Sequence, residues 1–314
     1  MSPCINRFRE CQAGMCSNTI WMNPVFIMKR LYFSLVVLVL FPTLTFSQFE
    51  YRSKWDYLPT TFKPYVIRLT TPGGINILRD APPDHTHHHG LMFAIKVDGV
   101  NCWEEYNPKD FGRQETLSIE EAVTDSKGRK EKKVESTLLW SDGVGQSLLV
   151  EKRTISTFQT GDATVLDWSG VFTLPVGKEK AVLGGNEYHG LGMRFVESMD
   201  RGGQYFASPN AGKKEGRLTP CRWMAYTAKV DGNPVTIAMF DTKDNPQPMF
   251  AFTMGSMDGE FGYFSATANL HREPVVLTPE KPVMFHYLVV LWDGEKTAEE
   301  IEKFATRNPE PGDL

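Results

Sequence analysis

Val283-Met284-Phe285-His286-Tyr287-Leu288-Val289-Val290-Leu291-Trp292 decides how this chain is to be read. Successive side chains on a strand point to opposite faces. Met284, His286, Leu288, Val290 and Trp292 therefore share one face, and Val283, Phe285, Tyr287, Val289 and Leu291 the other. Both faces are apolar and rich in β-branched and aromatic residues, which predicts a central strand covered on two sides. His286, set within it, reads as a hydrogen-bonded core histidine.

Working outward, strand patterns alternate with turn signals: Tyr65 to Thr71 before Pro72-Gly73-Gly74, Met92 to Val97 before Asp98-Gly99, and Thr137 to Trp140 before Ser141-Asp142-Gly143. Ser147 to Phe158, Thr164 to Leu174, Val235 to Phe240 and Gly262 to Ala268 continue the series. Such punctuation belongs to antiparallel hairpins and meanders. A single helix is expected, where Thr297-Ala298-Glu299-Glu300 forms a capping box ahead of Ile301 and Phe304, ending before Asn308-Pro309. The charge run Asp125 to Glu135 reads as a solvated hairpin tip. The expected class is mainly β, a large antiparallel β-sandwich with a short C-terminal helix.

The N-terminal stretch reads differently. Met28-Lys29-Arg30, the apolar run Leu31 to Phe41, and Thr45-Phe46-Ser47 have the order of a secretory signal peptide over residues 28–47. Residues 1–27 are then an upstream extension with Met28 as the start, and residues 48–314 a single β-sandwich domain. The apolar run falls short of the roughly 20 residues that cross a bilayer. The expectation is a periplasmic or secreted protein with no stable membrane anchor. Of the 5 cysteines, Cys102 and Cys221 lie in this domain, enough for one disulfide but not a framework. Without residues 1–47, which carry Arg7, Arg9, Lys29, Arg30 and Glu10, the whole-chain charge of −4 becomes about −7. No basic stripe is present, which argues against nucleic acid as a partner.

Four of the 7 histidines fall in Asp84-His85-Thr86-His87-His88-His89-Gly90. Pro82-Pro83 before them predicts an extended approach, with His85, His87 and His89 on one side. Imidazole is the commonest metal ligand and the commonest acid–base group near neutral pH. The cluster thus fits a chelate for a divalent metal ion, with His85, His87 and His189 as the ligand set, an acid–base site, or a polar knot that pins a loop. Clustered histidines repel when protonated, so an acid or a metal must hold them together, and Asp80 and Asp84 are the near acids. A second constellation, Gly184-Gly185-Asn186-Glu187-Tyr188-His189-Gly190-Leu191-Gly192-Met193-Arg194, sets Glu187 and His189 at i, i+2, on one side of a strand, among glycines that mark close approach. Both clusters contain His-Gly-Leu. His85, His87, His88, Glu187 and His189 are the candidate catalytic residues. Asp84, His89, Trp103, Arg194, Trp223 and His271 are the candidate substrate-binding ones, the tryptophans as stacking platforms for a sugar ring and Arg194 for a carboxylate or oxyanion. There is no Gly-x-Ser-x-Gly elbow, Walker loop, dinucleotide fingerprint or His-Glu-x-x-His, and neither cysteine stands in a catalytic motif.

Pro82 to Leu91, Gly190 to Phe195, Arg272-Glu273-Pro274-Val275-Val276-Leu277 and Trp292-Asp293-Gly294 together resemble the bacterial PmoA-like family of unknown function, the DUF6807 group. The likeness runs from Tyr65 to Gly294. The family name points to a methane monooxygenase subunit, a multi-span membrane protein, and is no guide to this chain. The resemblance implies a galactose-mutarotase-like supersandwich that handles sugars with histidine and carboxylate pairs in a concave sheet. The resulting expectation is an exported carbohydrate-active enzyme, a hydrolase, lyase or epimerase acting on a sugar or oxidised sugar. A non-catalytic sugar- or metal-binding module and a structural envelope protein are the alternatives.

Overall fold

The computed structural model describes residues 49–52, 62–107, 109–126, 129–255 and 261–307. All of them belong to one unit, Phe46–Leu314. The expected extension and signal peptide, residues 1–47, lie outside the described residues. In chain order the strands are β1 (Phe49–Arg52), β2 (Tyr65–Leu69), β3 (Leu91–Ala94), β4 (Lys96–Val97), β5 (Val100–Asn101), β6 (Arg113–Ser126), β7 (Arg129–Ser141), β8 (Ser147–Thr160), β9 (Ala163–Thr173) and β10 (Ala181–Gly184). There follow β11 (Gly190–Arg194), β12 (Gln204–Ala207), β13 (Leu218–Pro220), β14 (Trp223–Val230), β15 (Asn233–Asp241), β16 (Phe250–Met254), β17 (Tyr263–Thr267), β18 (Val275–Leu277), β19 (Val283–Asp293) and the helix α1 (Ala298–Arg307).

The strands form three antiparallel sheets, in the orders β1-β2-β3-β11-β17-β16-β13, β18-β10-β4-β5 and β12-β14-β15-β19-β9-β8-β7-β6. The quoted strand is β19, held between β9 and β15 in the eight-stranded sheet. Its two faces part as the alternation requires. Val283, Phe285, Tyr287, Val289 and Leu291 enter a core cluster shared by all three sheets, where Phe93 of β3 stacks on Trp168 of β9 at 4.7 Å. On the opposite face Leu288, Val290 and Trp292 pack under α1, against Ile301 and Phe304. The protein is thus a mainly β, antiparallel sandwich with one short terminal helix among the described residues. Thr297 caps that helix as its sequence predicts: its N–H donates to Glu300 at 2.8 Å and its hydroxyl accepts from the Glu300 N–H at 3.2 Å.

β6 is the outer strand at one end of the eight-stranded sheet, and the charged, exposed Glu120, Glu121 and Asp125 along it guard that edge against pairing with another chain. Cys102 and Cys221 are both buried and both free. His286 is satisfied within the sheet, its ring nitrogens each 2.9 Å from an oxygen of Asp244 and Asp167. No helix among the described residues is long and apolar enough to cross a membrane.

The site-bearing surface is the outward face of the seven-stranded sheet. Tyr65, Met92, Ala94, Leu218, Phe252 and Tyr263 share a second apolar cluster there, roofed by Trp103. In this face Gly192 of β11 lies between Met92 and Ser265. A Cβ at Gly192 would stand 2.1 Å from the Tyr263 hydroxyl and 2.9 Å from the Trp103 ring. Only a residue without a side chain lets both aromatics approach the strand this closely.

Candidate functional site

The loop Asp80 to His89 leaves and rejoins the sheet through an isolated antiparallel bridge between those two residues. The Ala81 N–H donates to the His88 carbonyl at 2.9 Å, and the Gly90 N–H to the Arg79 carbonyl at 3.1 Å. Inside the loop the backbone folds on itself, His85 N–H to Pro82 carbonyl at 3.0 Å and His88 N–H to His85 carbonyl at 2.9 Å. These turns correct the extended reading. The prolines set φ but do not forbid a turn after them, so the expected His85, His87, His89 face does not form. Instead His85, His87 and His88 gather together, with ring centroids 4.6 to 5.6 Å apart.

His89 goes elsewhere. Its Nδ1 lies 2.8 Å from Asp80 and its Nε2 3.1 Å from Glu105, while its ring stacks on Tyr65 at 4.6 Å. Glu105 also pairs with the fully buried Lys63, which donates to the Trp103 carbonyl at 2.7 Å, and the Tyr65 hydroxyl donates to Asp80 at 3.0 Å. Burial alone would lower the His89 pKa, but the hydrogen bonds from Asp80 and Glu105 outweigh it and raise it. Burial likewise opposes ionisation of Glu105, and the Lys63 charge and the His89 hydrogen bond together outweigh it. His89 is therefore braced between two carboxylates that favour its charged form, a structural clamp with no ring nitrogen left for a ligand.

The gathered histidines are electrostatically the reverse. Burial, reinforced by the Lys63 and His85 charges, pulls His87 down to about 3. Burial beside His87 takes His88 well below the ordinary histidine value. Both are neutral, and their Nδ1 atoms are buried without a hydrogen-bond partner. Aromatic rings surround them: Tyr106 at 5.0 Å from His87, Tyr263 at 5.1 Å from His88, and Phe261 at 4.6 Å from His85. His85 alone is open, its side chain 36% exposed, with Nδ1 3.3 Å from Asp84. Asp84 in turn accepts from Arg194 Nη2 at 2.8 Å. Burial would raise the Asp84 pKa, but the Arg194 charge together with the hydrogen bonds from Arg194 and His85 outweighs it and lowers it.

The two His-Gly-Leu stretches open β3 and β11, which are antiparallel neighbours: Gly190 faces Ala94 and Met193 faces Leu91. His89 and His189 thus stand at opposite ends of the strand pair, and Arg194, not His189, meets the histidine loop, its N–H donating to the Gly90 carbonyl at 2.8 Å. Trp103 spans the gap between the ends. It stacks on His189 at 5.2 Å with rings 9° apart and meets His88 edge-on at 6.2 Å. Burial, aided by Lys96, holds His189 at about 3, and both its ring nitrogens are buried and unpartnered.

Glu187 does not join His189. Asn186 to His189 is a turn, with the His189 N–H on the Asn186 carbonyl at 3.2 Å, so the i, i+2 strand parity never applies. Glu187 is exposed and acts on His271, which burial lowers and Glu187 partly restores. His271 is half-buried near His189. Trp223 lies on the far side of the molecule, in the cluster beneath α1, with its Nε1 donating to Glu302 at 2.8 Å. It is a helix-docking residue, not a platform for a ring. Among the described residues, no group of three or more His, Cys, Asp or Glu side chains is placed to hold a metal ion. The set His85, His87 and His189 is accordingly not assembled.

Sequence reading missed Lys63, Glu105, Asp200, Phe261 and Tyr263, which stand apart from the histidines in the chain and reach them only through the tertiary fold. Asp80 and Asp84 it flagged as the acids to hold the cluster, and they take His89 and His85 respectively. Beside the loop opens a cleft of about 660 Å³ whose walls include Arg79, Asp84, Arg194, Asp200, Arg201 and Phe261.

An antiparallel β-sandwich with a buried histidine and aromatic site on the outward face of one sheet defines the class of protein. The chain belongs to the family of unknown function DUF6807, whose model matches residues 43–306. No curated protein matches it. Among solved structures it is similar to the Slr1438 protein from Synechocystis sp. PCC 6803, at 10% identity and a TM-score of 0.40, over 79% of this chain and 96% of that one. It is also similar to the GH36 alpha-galactosidase AgaA from Geobacillus stearothermophilus, at 11% identity and a TM-score of 0.37, over 59% of this chain and 29% of the enzyme. A doubly substituted AgaA in complex with raffinose matches at 11% identity and a TM-score of 0.36, over 78% of this chain and 32% of that one. The chain thus spans about a third of the galactosidases it matches.

Proposed function

We propose that this protein is an exported carbohydrate-active enzyme, a hydrolase, lyase or epimerase for a sugar or oxidised sugar, in which His85 moves the proton. The observation that carries this reading is the His85–Asp84 pair, of which Asp84 lines the cleft and is itself held by Arg194. A carboxylate on one ring nitrogen fixes the tautomer and leaves Nε2 to exchange a proton with a substrate. Asp84 takes the part expected of Glu187. Phe261, in the cleft wall, offers apolar surface to a ring, and His87 and His88, held neutral, pack behind His85. A volume of about 660 Å³ falls in the usual range for small-molecule sites. A galactose-mutarotase-like sandwich is the finer form of the fold under this reading.

The test is turnover of a panel of oligosaccharides and their oxidised derivatives by wild type and His85→Ala. Loss of the acid–base group lowers the rate by about 10²–10⁴-fold; equal rates in the two proteins contradict the assignment. The buried, unpartnered ring nitrogens of His87, His88 and His189 favour a second reading, a sugar-binding module without turnover. It predicts binding of a panel member with no product from either protein.

A further inference from the structure

Arg194 is only 1% exposed, yet the fold leaves much of its guanidinium without an acceptor. Nη2 donates to Asp84 at 2.8 Å. Asp200, at 3.9 Å, is an ion-pair neighbour beyond hydrogen-bond range. Nε and Nη1 are buried with no partner. A guanidinium carries five N–H donors in a rigid plane, and buried donors in folded proteins nearly always meet an acceptor. Phe261 covers one flat face of the group at 3.7 Å, so an acceptor must approach in the plane. Two further arginines line the same cleft. Arg79 meets Glu197 and Asp200 only at 3.4 and 3.6 Å, and Arg201 is exposed.

The cleft is not simply cationic, because Asp84, Glu197 and Asp200 balance the three arginines in formal charge. What it lacks is an acceptor in the plane of the fork. Planar carboxylates match that geometry and make the stronger, charge-assisted bonds, as Asp84 already does on Nη2. Uncharged sugar hydroxyls match it less well.

We infer that the cleft receives the carboxylate of an acidic sugar, a uronate or aldonate unit, on the Arg194 N–H groups that Asp84 leaves free, with Phe261 beside the sugar ring. The inference rests on reading the cleft as a sugar site and narrows its substrate to a sugar acid. His85, whose ring lies 4.6 Å from that of Phe261, is the acid–base group next to that arrangement.

Binding, not turnover, tests it. Calorimetric titration of the full chain with galacturonate and glucuronate oligomers, and with the same oligomers as methyl esters, compares charge at constant ring chemistry. The acids are expected to bind at least about tenfold more tightly than the esters, a preference that weakens with added salt. Arg194→Gln should abolish the preference. Because that residue is buried and the variant can fail to fold, Arg201→Glu, at an exposed position of the same cleft, serves as the second variant. It should cut the preference several-fold, weakening the acids by more than the esters. Equal affinity for acid and ester, binding of neither, or an unaltered preference in Arg201→Glu overturns the inference. Absence of turnover with the acid preference intact contradicts only the acid–base reading, so the two failures are distinguishable.

Discussion

His85, His87, His88 and His89 are near neighbours in the chain, yet burial and partners divide them into three kinds: an open acid–base candidate, two buried neutral rings, and a clamp held between two carboxylates. The division bears on stability with opposite signs. For His87 and His189 the folded pKa, about 3, lies below the ordinary value of 6.5. Their contribution is complete above pH 6.5 and is lost as pH falls toward 3, because the unfolded chain takes up the proton first. For His89 the folded pKa is raised, so its contribution is complete below pH 6.5 and lost as pH climbs through the raised value. Urea unfolding midpoints are thus expected to drop steadily from pH 6.5 to pH 4, with His87→Gln showing a shallower slope than wild type. A flat profile, or identical slopes, would contradict the neutral assignment. In the sequence the cluster itself was plain, as were Asp80 and Asp84 beside it. The threefold division was not, because Glu105, Lys63 and Phe261 create it and local spacing carries no record of them.

At the scale of the element, strand alternation was readable in the long segments, and β8, β9 and β19 fall where periodicity puts them. Short, glycine-bearing segments were harder. Asn186 to Gly190 has strand-like parity in sequence but turns, and Pro82 to His88 turns twice. Gly192 is the element-scale feature with the sharpest consequence, since Trp103 and Tyr263 both rest where its side chain would be. Gly192→Ala should destabilise the protein by about 1–3 kcal/mol, as overpacking does. It should also shift the fluorescence of Trp103 by lifting it from His189. Thermal melting with the emission spectrum checks both. An unchanged melt would mean that the outward face is looser than described.

For the whole molecule, the sandwich class followed from the patterning, whereas the sheet order did not. β11 pairs with β3 and β17, and that long-range pairing alone brings the Arg194 end of one segment to the histidine loop and leaves His189 at the other end. The repeated His-Gly-Leu was a true sign that two strands are neighbours, but their antiparallel direction reverses what it implies about their histidines. The result is a strip along one sheet face, from the cleft at Arg194 and His85, across Trp103 above Gly192, to His189. The direct measurement is a crystal structure of the protein soaked with an oligosaccharide that it turns over or binds. The account predicts a sugar ring in the cleft, beside Phe261 and within hydrogen-bond distance of His85 Nε2. A sugar seated on any other face, with this cleft filled only by water, would contradict it.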